Sequence, residues 1–145
     1  MENLTQLLKR YGKNRWSSHW VGERPDVRDG EMLAAILKNI GFPQQTEFDA
    51  SQMVSLERSD AAYLLAYIST QSLAYGLGRK PSQGVVKSVS EALRDLDDSA
   101  LFFTNGNWME PNSISWYSLS QSTFDAGVIG FDAKHAFVFW VQDED

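Results

Sequence analysis

The chain has 145 residues, a formal charge of −6, 43% hydrophobic and 22% charged residues, and no cysteine. This is the composition of one ordinary folded domain over 1–145, and it excludes a disordered chain, a disulfide framework, a thiolate nucleophile and a cysteine zinc site. No apolar run approaches the ~20 residues that cross a bilayer, and MENLTQLLKRYGK lacks the basic-then-apolar order of a secretory signal, so a cytoplasmic location is expected.

In chain order, Leu4, Leu7, Leu8 and Tyr11 fall at helical spacing and predict a helix over 3–11. The stretch KNRWSSHWVGERPDVRDG has no period and contains Gly22, Pro25 and Gly30, so it reads as a loop pinned by Trp16 and Trp20. Asp29 is placed to cap a second helix with the stripe Met32, Leu33, Ile36, Leu37 and Ile40. Gly41-Phe42-Pro43 then matches a left-handed glycine cap followed by a stop. A short helical turn is expected within 47–57, around Met53, Val54 and Leu56.

Ser59 and Asp60 open a third helix that runs through Tyr75 to a stop at Gly76 and Gly78. It is apolar nearly all round, and so belongs in the middle of the core. Pro81 or Ser82 starts a fourth, with Val85, Val89, Ala92, Leu93 and Leu96 on one side and Lys87, Glu91, Arg94 and Asp95 on the other.

From Leu101 the apolar period changes from 3.6 to 2, and aromatic residues concentrate. Strands are predicted near 100–104, 113–119, 126–131 and 136–142, with short connections that favour antiparallel pairing. The expected fold is α+β: a helical N-terminal two-thirds of about four helices, packed on a C-terminal antiparallel sheet of three to four strands. In HAFVFWV, Phe137, Phe139 and Val141 face one way and Val138 and Trp140 the other, so this last strand needs cover on both faces and should be interior. Asp143, Glu144 and Asp145 then mark the return to water, because an unpaired buried carboxylate costs several kcal/mol, and they guard the strand against aggregation.

Charge is unevenly spread. Residues 1–28 carry six basic against three acidic side chains, whereas 95–145 carry nine acidic against Lys134 alone. Such a field repels nucleic-acid phosphate and anionic membrane and attracts basic surfaces.

Motifs for catalysis are sparse. His19 and His135 sit in no ligand pattern, no HExxH, GxSxG or SxxK occurs, and GLGRKPSQG misses both phosphate-loop spacings and follows a helix. Neither a metal nor a cofactor is expected. Asp95, Asp97 and Asp98 in RDLDDS lie at a helix end where negative charge opposes the macrodipole, at a cost of about 0.3 to 1 kcal/mol. That placement asks for a reason. Trp108, Trp116 and Tyr117, near Glu110, have the composition of a protein-binding surface, with aromatic anchors and carboxylates that select a basic partner.

The leading expectation is therefore a small acidic protein-binding domain and not an enzyme. It would neutralise or regulate a basic protein such as a toxin, in the manner of bacterial immunity proteins and antitoxins, through Asp95, Asp97, Asp98, Trp108, Glu110, Trp116, Tyr117, Asp143, Glu144 and Asp145. Two alternatives accompany it: a small hydrolase using His19 or paired carboxylates, and a structural subunit whose apolar sheet face pairs with a second copy.

Overall fold

The computed structural model describes residues 1–13, 16–44, 47–71, 80–108 and 114–144. Among these residues, four α-helices, α1 (Glu2–Tyr11), α2 (Met32–Lys38), α3 (Arg58–Thr70) and α4 (Gln83–Leu93), surround five strands: β1 (Ser17–Glu23), β2 (Val54–Leu56), β3 (Leu101–Thr104), β4 (Phe124–Phe131) and β5 (His135–Asp143). All neighbours are antiparallel, in the order β1-β5-β4-β3-β2.

The expectation of three to four strands, all from the C-terminal third, is thus corrected to five, with both edge strands drawn from the first 60 residues. The stretch read as a tryptophan-pinned loop is β1, which pairs along its whole length with β5 from Ser17–Val141 to Glu23–His135. Its signal is weak because an edge strand is only half covered. His19 and Val21 lie on one face and Ser18 and Trp20 on the other, with no apolar alternation to reveal them. The doubly apolar β5 is interior, as its two faces require, and an interior strand needs a partner on each side. β1 is the second partner.

The helical turn expected around Met53, Val54 and Leu56 is corrected: Met53 is extended and Val54–Leu56 is strand β2, with a single 3₁₀ turn before them at Ala50–Gln52. The strand expected over 113–119 is absent from its described part, where Trp116 makes one isolated bridge to Gly106. Helix α3 stops at Thr70, earlier than expected, where Ser69 and Thr70 turn their hydroxyls back onto the carbonyls of Leu65 and Ala66. Leu73, Tyr75, Gly76 and Gly78 lie outside the described residues.

Two cores form on the two faces of the sheet. On one, α1, α3 and α4 bury Leu4, Leu8, Leu64, Leu65, Val89 and Leu93 against Phe102, Phe137 and Phe139. On the other, α2 and Phe42 cover Ile129, Val138 and Trp140. Three layers result, and both sheet faces are occupied. The turn that follows α2 closes at Gly41 with φ +75, where Phe42 N–H bonds the Leu37 carbonyl and Gly41 N–H bonds that of Lys38, the paired bonds of a left-handed glycine cap.

The acids at the end of α4 also find their reason. Arg58 donates to the carbonyls of Leu93, Leu96 and Asp97, supplying the positive charge that this helix end prefers. Asp95 turns away to the start of α1, where it accepts from Leu4 N–H at 2.9 Å and Asn3 Nδ2 at 3.0 Å and lies 3.6 Å from the Met1 ammonium. It caps the first turn of α1 from the turn that follows α4.

Candidate functional site

The antiparallel register of β4 and β5 sets Phe124 opposite Asp143. Phe124 lies at the end of an aromatic stack: Trp108 on Trp116 at 5.4 Å between ring centroids, and Trp116 on Phe124 at 5.4 Å. Beyond Asp143, Glu144 accepts from the backbone and hydroxyl of Thr123, the residue before Phe124. Three aromatic rings and two carboxylates are therefore gathered at one end of the sheet. Trp108 and Trp116 are half-buried, each contributing part of its surface to solvent.

A buried polar hub holds the described residues on either side of this stack, 105–108 and 117–120. Asn105 and Asp125 are 1% and 0% exposed. The Asn105 amide donates to the carbonyls of Tyr117 and Asp125 and to Asp125 Oδ1, while its oxygen accepts from Trp108 Nε1 at 3.3 Å. Asp125 in turn accepts from Leu119 N–H, Ser120 N–H, the hydroxyls of Ser118 and Ser120, and Trp140 Nε1. These bonds satisfy backbone groups of 117–120 that a strand ladder would otherwise occupy, which is why the expected strand does not form. Tyr117 points to the opposite face from its neighbour Trp116: it packs on Phe48, accepts from Asp49 N–H at 3.0 Å and donates to the Glu47 carbonyl.

The residues singled out in the sequence therefore separate. Trp108, Trp116, Asp143 and Glu144 come together. Tyr117 anchors the 47–49 segment on the other side. Glu110 and Asp145 lie outside the described residues. Asp95, Asp97 and Asp98 sit at the opposite end of the sheet, beside the β4–β5 turn, where Asp97 N–H donates to Asp132 Oδ2. Eight residue steps along β5 separate the two ends, roughly 26 Å at ~3.3 Å per residue. Asp97 also accepts from Ser99 N–H, closing a local turn, and Asp98 is exposed.

His19 lies on β1 opposite Phe139, against Gly12, where an added Cβ would come within 2.4 Å of its Nδ1. Burial, then the nearby Lys9 charge, hold its pKa below the usual value, favouring the neutral ring at pH 7. Among the described residues no group of three or more His, Asp or Glu side chains could hold a metal ion, and no helix is long and apolar enough to cross a membrane.

Asp95 and Asp132 carry a pH dependence. Burial pushes each carboxyl upward, but hydrogen bonds outweigh it and hold both below the ordinary value. Leu4 N–H, Asn3 and the Met1 ammonium act on Asp95; the N–H groups of Asp97, Lys134 and His135, with the His135 charge, act on Asp132. The unfolded chain then binds protons more readily than the folded one, so their contribution is complete above the unfolded value of about 3.9 and is lost as pH falls through the depressed folded values. Urea midpoints should drop between pH 5 and pH 3, and the drop should shrink in Asp132→Asn. An acid limb unchanged in that variant would exclude Asp132 as a source.

Compared with protein-family models, with curated proteins and with solved structures, the chain matches none.

Proposed function

We propose that this domain binds a basic protein partner at the sheet end formed by Trp108, Trp116, Phe124, Asp143 and Glu144, as a neutralising module of the immunity-protein or antitoxin type acting in the cytoplasm. The observation that supports this reading is the β4–β5 register, which sets Asp143 opposite Phe124, the ring on which the Trp108–Trp116 stack ends, while Glu144 accepts from the neighbouring Thr123. Aromatic anchors carry binding energy and rim carboxylates steer encounter with a basic surface. A total charge of −6 acts in the same direction. The hub of Asn105 and Asp125 supports the reading as well, because Trp108 and residues 117–120, already held by its hydrogen bonds, lose little entropy on binding.

The test is affinity capture from the native cell lysate on the immobilised domain, compared with Trp116→Ala and with Asp143→Asn/Glu144→Gln, each checked for folding by thermal unfolding. The expected result is a stoichiometric basic protein. Trp116→Ala should weaken it by about 30-fold or more, as truncation of an anchor does. The double acid variant should slow association by several-fold at low salt and flatten its salt dependence. A partner held equally well by the folded Trp116→Ala protein, or insensitive to the acids and to salt, would reject the reading.

A further inference from the structure

With both faces of the sheet covered, what the sheet leaves open is an edge. Gln142 N–H bonds the Trp16 carbonyl and Arg24 N–H bonds that of Lys134, at the two ends of the β1–β5 ladder. Antiparallel strands bond a neighbour through every second residue, so Ser18, Trp20 and Gly22 direct their backbone groups to β5, and His19, Val21 and Glu23 turn theirs outward. Among the described residues no hydrogen bond reaches those outward groups. An open row of this kind is a template for another strand, and edges are ordinarily blunted by brevity, lysine, proline or a bulge. β2, the opposite edge, is three residues long. β1 is seven, SSHWVGE, with neither lysine nor proline, and its register with β5 runs without a bulge.

Side-chain chemistry selects the occupant. Glu23 is exposed, and Lys9, exposed in the last turn of α1, is near enough to His19 for its charge to act on that ring. Neither Glu23 nor Lys9 has an ion-pair partner among the described residues. A two-fold axis at Val21 sets Glu23 of one copy opposite His19 of the other, beside Lys9, so that each unpaired charge meets its opposite. It also sets Trp20 opposite Gly22. Trp20 already lies over the Gly22 of its own strand, where an added Cβ would come within 2.5 Å of its Cζ2, and a second bare stretch of backbone lets the indole extend across the joint. An axis at His19 would instead bring the two histidines and their lysines together, and one at Trp20 would leave Glu23 against Ser17. We infer that a second copy of this chain adds to the free edge of β1 about a two-fold axis at Val21, joining two five-stranded sheets into one. His19 pairs with Glu23 of the copy and Val21 with Val21, each pair exchanging both of its N–H···O bonds. This goes beyond the proposed function and does not rest on it.

The experiment is sedimentation equilibrium of the full chain, with amide hydrogen exchange along β1 read by fragmentation mass spectrometry at high and low concentration. Twice the 16.4 kDa chain mass is expected at about 100 µM, since one strand pair makes an interface at the small end of specific ones. The amides of His19, Val21 and Glu23 should exchange at least about 10-fold more slowly there than at about 1 µM, because dissociation returns them to water. Val21→Pro removes an outward N–H that β5 does not use, so β1 keeps its ladder while the dimer should weaken by at least about 100-fold. Lys9→Glu and Glu23→Arg should each weaken the dimer by about 3- to 10-fold, because the axis repeats the pair, and the double variant should return to within about 2-fold of the parent.

A single-chain mass at about 100 µM would overturn the inference. So would a dimer whose His19, Val21 and Glu23 amides exchange equally fast at both concentrations, or one that the folded Val21→Pro protein still forms, since the copies would then meet elsewhere. If Val21→Pro does not fold, the charge exchange decides. A double variant that dimerises no more tightly than either single one means that Glu23 does not meet Lys9 of the copy, and the axis at Val21 is wrong.

Discussion

Asp125→Ala should lower the unfolding free energy by about 3 to 5 kcal/mol, a large part of the ~5 to 15 kcal/mol that stabilises a domain. The carboxylate is fully buried and serves as acceptor for Leu119 N–H, Ser120 N–H and Trp140 Nε1 as well as two serine hydroxyls and the Asn105 amide. Hydroxyls can rotate to other partners, and the Asn105 amide keeps two carbonyls, but the two backbone groups and the indole cannot turn. Each buried orphan donor costs about 1 to 3 kcal/mol, partly offset because a costly buried charge is also removed. Asp125→Asn keeps one acceptor oxygen and should cost about half as much. Urea unfolding checks both. The near-ultraviolet circular dichroism of the Trp108–Trp116 stack should weaken in the folded Asp125→Asn protein, since Asp125 holds Asn105, which accepts from Trp108 Nε1. A loss below about 1 kcal/mol for Asp125→Ala would mean the loop finds other partners.

Asp125 also marks where the sequence stopped being legible. Read linearly it is one of nine acids in a negatively charged third, indistinguishable from Asp98, which is exposed. The available signal was its place: a lone acid one residue into the apolar run FDAGVIGF, preceded by S-L-S-Q-S-T, a serine-rich stretch suited to donating toward a carboxylate. Asn105 likewise sits in N-G-N, the composition of a turn, although its amide reaches both Tyr117 and Asp125. Periodicity found α1, α4, β3, β4 and β5 within a few residues because each buries a regular stripe, and it found the glycine cap at Gly41 because only backbone chemistry is needed there. It missed β1 and β2 because an edge strand is specified by the neighbour it pairs with: Ser17, Ser18 and His19 become a strand beside Val141, Trp140 and Phe139. For the site, composition identified the tryptophans and the C-terminal acids. Their grouping, and the separation of Asp95 and Asp97 into roles at the other end, depend on the β4–β5 register, which no local pattern encodes.

The second large effect is expected at Gly127, where that register is also enforced. Gly127 is paired with Trp140, and the indole lies across it: an added Cβ would meet Trp140 Cε3 at 2.0 Å, Cδ2 at 2.3 Å and the Phe139 carbonyl oxygen at 2.6 Å. Each is far inside van der Waals contact, and Trp140 is fully buried, packed edge-on to Phe42 and bonded to Asp125, so the ring has nowhere to go. Glycine in a strand interior ordinarily costs stability, but here it is the space into which the tryptophan packs. Gly127→Ala should therefore destabilise by more than the ~1 to 3 kcal/mol typical of an extra core methyl, since the clash involves backbone as well as ring. A double-mutant cycle with Trp140→Leu separates the two contributions. Trp140→Leu alone should cost about 3 kcal/mol, mainly through the lost ring, with a smaller part from the lost hydrogen bond to Asp125. In that background Gly127→Ala should cost at least about 1 kcal/mol less than in the parent, because only the clash with the Phe139 carbonyl remains. Additive costs in the two backgrounds would show that the backbone contact, and not the indole, is what requires glycine at this position.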